Sequence, residues 1–176
     1  MSGFTHESTY NESIEWYTPP ELFDALGVQF DLDPCSPGAG KSFVPAKRHL
    51  TVEDDGLASP WGPEEFVFMN PPYGSQTAAW MDKLSAHGNG IALVFARTDV
   101  RWFQSLFEGD HPTLTGVLFI GGRLRFYKGN TSEQGGTPGA GSMLLAFGHE
   151  ASRVLRGARD LGVYMVADGY PKKESS

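Results

Sequence analysis

The tetrapeptide Asn70-Pro71-Pro72-Tyr73 directly follows a run of apolar residues at positions 66–69. This run predicts a short buried strand, which must end at Asn70 because proline cannot donate a hydrogen bond to a strand ladder. An amide side chain is therefore fixed at the edge of a sheet, with a stiff backbone carbonyl beside it and an aromatic ring three residues further on. These groups suit methyl transfer to the amine of an aromatic base.

An exocyclic amine on an aromatic ring is a poor nucleophile, because its lone pair is delocalised into the ring. The side-chain oxygen of Asn70 and the carbonyl of Pro71 could accept its two N–H groups and favour a tetrahedral nitrogen that attacks a methyl group. These acceptors would stabilise the positive charge that develops during the transfer, so no strong base is needed beforehand. Tyr73 would stack on the base, which must leave its duplex to reach the site. The alternative is a simple strand-ending turn, since Asn and Pro are common turn residues.

A second candidate segment is Tyr17-Thr18-Pro19, which precedes a predicted short helix. We predict Thr18 as the N-cap and Pro19 as the first helical residue, with Glu21 completing a capping box. Free N–H groups at the start of a helix favour a carboxylate, so this turn is a candidate carboxylate site. The alternative is a well-started helix without a functional role.

The alternating residues 28–33 predict a strand that leads into a proline- and glycine-rich loop at positions 34–40. Ligands of open α/β sheets bind where strands end and helices begin, which makes Asp33, Pro34 and Cys35 candidate ligand contacts. The alternative is an ordinary turn. We interpret Cys35 as a small packing residue, because no histidine stands in an obvious position to activate it as a nucleophile.

The acidic turn at residues 53–57, Glu-Asp-Asp-Gly-Leu, is a fourth candidate. It could supply one carboxylate for ribose hydroxyls and one for an adenine amine, and it is equally well explained as a solvated turn. Only 37 residues separate Asp33 from Asn70, too few for two βα units when each βαβ unit takes about 30 residues or more. The middle of the sheet must therefore be cut down, with one short strand between 43 and 52 and little or no helix.

Two basic segments follow predicted strands. Arg97, Thr98, Asp99 and Arg101 come after the continuous apolar run 91–96, which is typical of a central parallel strand. A polar cluster at that position suits a substrate, whereas the neighbouring Trp102-Phe103 pair is better explained as the apolar face of the next helix.

Arg123, Arg125 and Lys128 are the densest positive charge in the chain and follow the predicted strand 114–120. On a strand, Arg123 and Arg125 share one face, which would form a ridge that contacts phosphates. A solvated sheet edge protected by charges is an equally good explanation. The ridge matters because the formal net charge is −7, and an acidic protein is a poor generic DNA binder unless its positive charge is concentrated on one face.

The composition of the 176-residue chain, 40% apolar, indicates one globular domain. We predict a flexible arm at 1–13, a domain at 14–168 with a mobile loop at 129–141, and a disordered tail at 169–176. The single cysteine fits a reducing cytoplasm. No apolar run has the length of a membrane span and no signal sequence is visible, so a membrane is not an expected partner. We expect no metal either.

The order of these motifs resembles that of the phage-type DNA N6-adenine methyltransferases of the Dam type, over residues 16–147. The matching runs are Tyr-Thr-Pro-Pro-Glu, Asp-Pro-Cys, Asp-Gly-Leu, Asn-Pro-Pro-Tyr-Gly, Ala-Arg-Thr-Asp and Gly-Arg-Leu-Arg-Phe. The resemblance implies an abbreviated Rossmann-like α/β methyltransferase fold, a mixed sheet with helices on both faces. It implies S-adenosyl-L-methionine as donor, adenine in DNA as acceptor, and action in the cytoplasm of a bacterial host, from a phage or prophage gene.

The same resemblance assigns residues to two sites. The base is assigned to Asn70, Pro71, Pro72 and Tyr73. The cofactor is assigned to three segments, with Asp55 the best match among the acids: Tyr17, Thr18 and Pro19; Asp33, Pro34 and Cys35; and Asp54, Asp55, Gly56 and Leu57. No separate target-recognition domain is visible, so we expect short or relaxed sequence specificity, read by the segments 97–103 and 123–142.

Two other functions remain open. The first is an amino-methyltransferase that acts on RNA or on a glutamine side chain of a protein, which the acidic charge would suit. The second is a non-enzymatic binding module, which the absence of a Gly-x-Gly in the 34–40 loop would suit. Methyl transfer to a protein would decide for the first function. Failure to bind S-adenosylmethionine would decide for the second.

Overall fold

The computed structural model describes residues 16–108, 113–128, 135 and 138–168. The predicted arm at 1–13, the tail at 169–176 and most of the 129–141 loop lie outside the described residues. Nine strands are formed within the described part: β1 Trp16–Tyr17, β2 Phe30–Asp33, β3 Ala46–His49, β4 Val67–Met69, β5 Gly90–Phe95, β6 Leu114–Ile120, β7 Tyr127–Lys128, β8 Ser142–Phe147 and β9 Gly162–Val166. The α-helices there are α1 Pro20–Leu26, α2 Thr77–His87, α3 Arg101–Ser105 and α4 Gly148–Gly157.

Seven strands form one mixed sheet in the order β3-β2-β4-β5-β8-β6-β9. The first four are mutually parallel, whereas β8 is antiparallel to both of its neighbours, β5 and β6. It follows that β6 runs in the same direction as β2, β4 and β5. The remaining strands, β1 and β7, form a separate antiparallel pair. The chain is therefore a mixed α/β protein, as the sequence predicted.

Helices cover both faces of this sheet. Successive strand side chains point to opposite faces, and they enter two different apolar clusters. Phe68 and Leu93 pack with residues of α1 and α4, whereas Met69 and Ala92 pack with residues of α2 and α3. All of these strand side chains are fully buried, and burying each large one stabilises the fold by about 1.5–3 kcal/mol.

The middle of the sheet is short, as predicted. Between β2 and β4 the chain forms β3 and a single 3-10 turn, Val52–Asp54, with no α-helix. The parallel pair β2 and β3 is instead joined by the 34–45 loop. This leaves the loops after β2 and β3 uncovered beside the end of β4.

Several local predictions were wrong. Helix α1 begins at Pro20 with Pro19 as its N-cap, and no side chain caps it, because Thr18 turns toward Asn70 instead. The helical spacing of residues 76–87 predicts a buried side made of Ala79, Trp80, Leu84 and Ala86. On α2, however, Ala79 and Ala86 are exposed, and Thr77 and Met81 are buried with Trp80 and Leu84. Arg123 and Arg125 lie outside any strand, so they do not share a strand face.

Candidate functional site

Five strands of the sheet, β2, β3, β4, β5 and β6, run in the same direction, so their carboxyl ends lie at one edge. Asp33 is the last residue of β2, Asn70 directly follows β4, and the segments 97–101 and 121–126 follow β5 and β6. Because ligands of α/β sheets bind at this edge, the fold brings most of the predicted site residues to the expected place.

A cleft of about 600 Å³ opens at this edge. Its walls come from the 34–37 loop, the 51–57 turn, the Asn-Pro-Pro-Tyr segment and the start of α2. The predicted residues that line it are Tyr17, Pro34, Cys35, Asp55, Gly56, Leu57, Asn70, Pro71, Pro72 and Tyr73. Four others that were predicted for the cofactor do not line it: Thr18, Pro19, Asp33 and Asp54.

Asn70 is held by two hydroxyl groups. Its Nδ2 donates to Thr18 Oγ1 at 3.2 Å, and its Oδ1 accepts a hydrogen bond from Tyr73 Oη at 3.1 Å. The Pro71 carbonyl accepts no hydrogen bond within the described part of the chain. Two acceptors, one on a side chain and one on the backbone, therefore belong to adjacent residues that line the cleft.

Tyr73 is placed as an aromatic platform. Its ring stacks on Phe95 with centroids 4.1 Å apart and an interplanar angle of 15°, and 36% of the residue remains exposed. Burial raises the pKa of Tyr73 above its usual range, so the phenol stays protonated and can donate to Asn70. Sequence reasoning found Tyr73 but missed Phe95 beneath it, whose apolar strand pattern pointed only to the core.

The turn after Tyr73 is closed by Thr77. The Thr77 hydroxyl donates to the Pro72 carbonyl at 3.1 Å and accepts from the Gly74 N–H at 3.1 Å. Gly74 has φ 128°, a conformation that favours glycine because it has no Cβ. The tetrapeptide is thereby anchored at one end by β4 and at the other by the first residue of α2.

Asp33 was predicted to contact a ligand, but its side chain is buried against its own loop. Its carboxylate accepts from Cys35 N–H at 3.2 Å and from the Ser42 hydroxyl at 3.1 Å, and it lies 3.5 Å from His49 Nδ1. The neighbouring Asp33 raises the pKa of His49. Burial raises the pKa of the Cys35 thiol well above its usual value, which agrees with Cys35 as a packing residue.

The acidic turn divides its carboxylates between two tasks. Asp54 accepts from the backbone N–H and the hydroxyl of Thr51 at 2.8 and 2.9 Å, so its side chain closes the 3-10 turn. Asp55 is exposed and lines the cleft, in a left-handed conformation with φ 48° that Asp tolerates better than most residues. Glu53 is also exposed but does not line the cleft. Of the three acids, Asp55 is the one that lines the cleft.

Gly56 and Lys83 hold that turn against α2. A Cβ on Gly56 would collide with the Pro34 carbonyl oxygen and lie 2.8 Å from the Trp80 ring. Lys83 Nζ donates to the carbonyls of Gly56, Leu57 and Ser59 at 3.0, 2.8 and 2.6 Å, and partial burial lowers its pKa. The turn that carries Asp55 is thus fixed by Gly56 and Lys83, and also by Asp55 Oδ1, which accepts from the N–H groups of Leu57 and Ala58 at 3.2 Å each.

Positive charge is concentrated near the same edge. Arg97 and Arg101 after β5, and Arg123 and Arg125 after β6, are exposed and form no ion pair with any other residue that the structure describes. Thr98 and Asp99 are exposed between them. The side chain of Lys128 lies outside the described residues, although its backbone pairs with Trp16 in the β1–β7 ladder.

A comparison with known protein families identifies the family of this chain. The model of the DNA N-6-adenine-methyltransferase (Dam) family matches residues 7–157. The chain belongs to the Dam family. No curated protein and no solved structure matches it. The family name indicates a methyltransferase that acts on adenine in DNA, which agrees with the acceptors found at Asn70 and Pro71.

In this Dam-family chain, sequence reasoning missed six residues that line the cleft: Ser36, Pro37, Thr51, Val52, Gln76 and Trp80. Trp80 was predicted only as part of the buried side of α2. Its indole nitrogen is buried without a hydrogen-bond partner among the described residues. The close approach of its ring to Gly56 is not visible in the sequence, because it depends on how α2 packs against the 51–57 turn.

The described residues contain no group of three or more His, Cys, Asp and Glu side chains placed to hold a metal ion. None of the helices in the described part of the chain combines the length and apolarity that a bilayer span requires.

Proposed function

We propose that this chain is an S-adenosyl-L-methionine-dependent DNA N6-adenine methyltransferase that acts on a base turned out of its helix. The observation that carries the proposal is the pairing of the Asn70 side-chain oxygen with the Pro71 carbonyl, on adjacent residues that line the cleft. Both are hydrogen-bond acceptors, and together they match the two N–H groups of one planar amine. Tyr73 stands beside them as a stacking surface.

The cleft fits S-adenosylmethionine in size and in chemistry. Its volume of about 600 Å³ lies within the range of small-molecule sites, roughly 300–1,000 Å³. Leu57, Val52 and Pro34 offer apolar surface for an adenine ring, and Asp55 offers a carboxylate for ribose hydroxyls. When bound, the cofactor supplies an activated methyl group, and the cleft leads to Asn70, where that group is needed.

The residues of the chain then act on the target amine. Tyr73 leaves Asn70 Oδ1 when the base enters, and its ring packs against the base with Phe95 as support. Stacking of a base on an aromatic side chain contributes about 1–3 kcal/mol. Asn70 Oδ1 and the Pro71 carbonyl would accept the two N–H groups and stabilise the positive charge that develops on the nitrogen as it takes the methyl group. The sulfonium–methyl bond would break in the same step and leave a neutral thioether, and the methylated nitrogen would then lose one proton.

DNA is held by the unpaired arginines of the same edge. Arg97, Arg101, Arg123 and Arg125 can contact phosphates, which reconciles a net charge of −7 with DNA binding because the favourable charge is local. Arg97 and Arg101 flank Thr98 and Asp99, so this segment also offers groups for base edges. The described residues form one mixed sheet with its helices, and we propose that this unit reads a short or relaxed sequence.

The test is transfer of labelled methyl from S-adenosylmethionine to unmethylated DNA, followed by nucleoside analysis. We expect N6-methyladenine from the wild type and a loss of at least about 100-fold for Asn70→Ala, because the side-chain acceptor is removed. Asn89→Ala is the matched control, since Asn89 donates only to the Glu64 and Glu65 carbonyls away from the cleft. Wild-type activity that survives in Asn70→Ala would refute the proposed site.

A second candidate is methylation of RNA or of a protein glutamine amide, which the acidic net charge favours. Asn70 and Pro71 would accept the two N–H groups of any planar amine in the same way. Label that enters RNA or protein but not DNA in the same assay would select this candidate. The resemblance to phage-type enzymes and the single cysteine support action in the cytoplasm of a bacterial host.

A further inference from the structure

We propose that Thr18 is a positioning residue for Asn70 and not a contact of the cofactor. This inference rests on the proposed function, because it assigns Thr18 to the amine-binding step. Thr18 is only 4% exposed and does not line the cleft. Its hydroxyl accepts a hydrogen bond from Asn70 Nδ2 at 3.2 Å, across a separation of 52 residues in sequence.

The backbone on both sides of Thr18 fixes the direction of its hydroxyl. On the N-terminal side, Tyr17 pairs with Tyr127 in the β1–β7 ladder. On the C-terminal side, Pro19 has φ −67° as the N-cap of α1 and Pro20 occupies the first helical position. Thr18 is β-branched and therefore stiff about χ1. The hydroxyl is not used to cap α1, which leaves it for Asn70.

The contact determines which end of the Asn70 amide faces the substrate. An amide has an oxygen acceptor and a nitrogen donor of nearly equal size, and rotation by half a turn exchanges them. With Nδ2 held by Thr18, Oδ1 points toward the Tyr73 hydroxyl, and both Asn70 and Tyr73 line the cleft. Once a base displaces the Tyr73 hydroxyl, the bond to Thr18 is the remaining side-chain hydrogen bond of Asn70 among the described residues, and it keeps the acceptor in place. Without it, Nδ2 can face the amine, donor against donor.

The experiment compares Thr18→Val with Thr18→Ser. Valine keeps the volume and the β-branch but removes the hydroxyl, and serine restores it. At saturating cofactor and DNA we expect kcat to fall about 10- to 100-fold in Thr18→Val, as for other small misplacements of a catalytic group. We expect Thr18→Ser to stay within about threefold of the wild type. The Kd for S-adenosylmethionine, measured by calorimetry, should be unchanged in both variants.

Thr115→Val is the matched control for the loss of a threonine hydroxyl. Thr115 Oγ1 donates to the carbonyls of Ala146 and Gly148 at 3.2 and 2.9 Å, away from the cleft. We expect this variant to lower the Tm but to leave kcat unchanged. A Thr18→Val variant that loses kcat only in proportion to its loss of folded protein would overturn the inference, since its effect would then be structural.

Two further outcomes separate this inference from the proposed function. A Thr18→Val variant with a weaker Kd for the cofactor and an unchanged kcat at saturation would return Thr18 to the cofactor site and overturn the inference alone. A variant equal to the wild type in both quantities would do the same. A wild-type protein that leaves DNA unmethylated would defeat the proposed function, and this inference with it.

Discussion

Asp33 and Asp55 both carry a carboxylate at the same edge of the sheet, yet they stand in different environments. Asp33 is 2% exposed, and its oxygens accept from Cys35 and Ser42 within its own loop. Asp55 is exposed and lines the cleft, and only one of its oxygens accepts hydrogen bonds, from the N–H groups of Leu57 and Ala58 at 3.2 Å each.

The two carboxylates have different roles: Asp33 stabilises a loop that forms a wall of the cleft, whereas Asp55 is exposed to the cleft itself. The carboxylate of Asp33 accepts hydrogen bonds from Cys35 and from Ser42, and so joins the two ends of the loop that follows it. Residues 34–37 of this loop form one side of the cleft. The carboxylate of Asp55 lies on a turn that the contacts of Gly56 and Lys83 hold in place. A residue of the same type therefore holds a loop together in one place and presents a carboxylate to the cleft in the other.

The largest effect is expected for Asp33→Ala. Removal of the carboxylate leaves the Cys35 N–H and the Ser42 hydroxyl without an acceptor in a buried loop, which should lower the free energy of unfolding by about 3 kcal/mol. Urea unfolding at neutral pH measures this change. Asp33→Asn keeps one acceptor oxygen and should lose less. A variant as stable as the wild type but with weaker cofactor binding would show that Asp33 is a ligand contact after all.

A smaller and different effect is expected for Asp55→Asn. Asparagine tolerates the left-handed conformation at this position, so the Tm should hardly change. Loss of the negative charge should raise the KM for S-adenosylmethionine about tenfold, as for one charge-assisted hydrogen bond. Asp54→Asn is the control: its side chain caps Thr51, so the KM should stay near the wild-type value. Equal effects of the two variants would erase the distinction between these acids.

The smallest effect concerns the pH dependence of the Asp33 environment. Asp33 raises the pKa of His49, so the folded state favours the protonated imidazole. The resulting stabilisation is complete below the unfolded pKa of about 6.5 and disappears as the pH rises through the higher folded-state value. His49→Gln should therefore lose more stability relative to the wild type at about pH 5.5 than at about pH 8.5. Urea titrations at both pH values test this, and a difference that is independent of pH would contradict it.

Much of the fold could be predicted because its signals are local. The apolar runs that became β4, β5 and β6 were recognised from the sequence, and the short spacing between Asp33 and Asn70 correctly indicated a reduced middle of the sheet. Errors arose where local rules compete with tertiary contacts. Thr18 suits an N-cap, but its hydroxyl bonds Asn70, and the basic 121–126 segment lacks the ladder that would have made it a strand.

The sequence by itself determined where the reactive amide stands. Two prolines after a buried strand end the ladder at Asn70 in any fold that contains this segment, and the ring of Tyr73 must follow within three residues. Only the tertiary structure decided what surrounds the amide. The hydroxyl of Thr18 arrives from 52 residues away, Phe95 comes from a neighbouring strand, and Asp33 and Asp55 are told apart only by burial. These contacts depend on how separate elements pack, which neither spacing nor composition specifies.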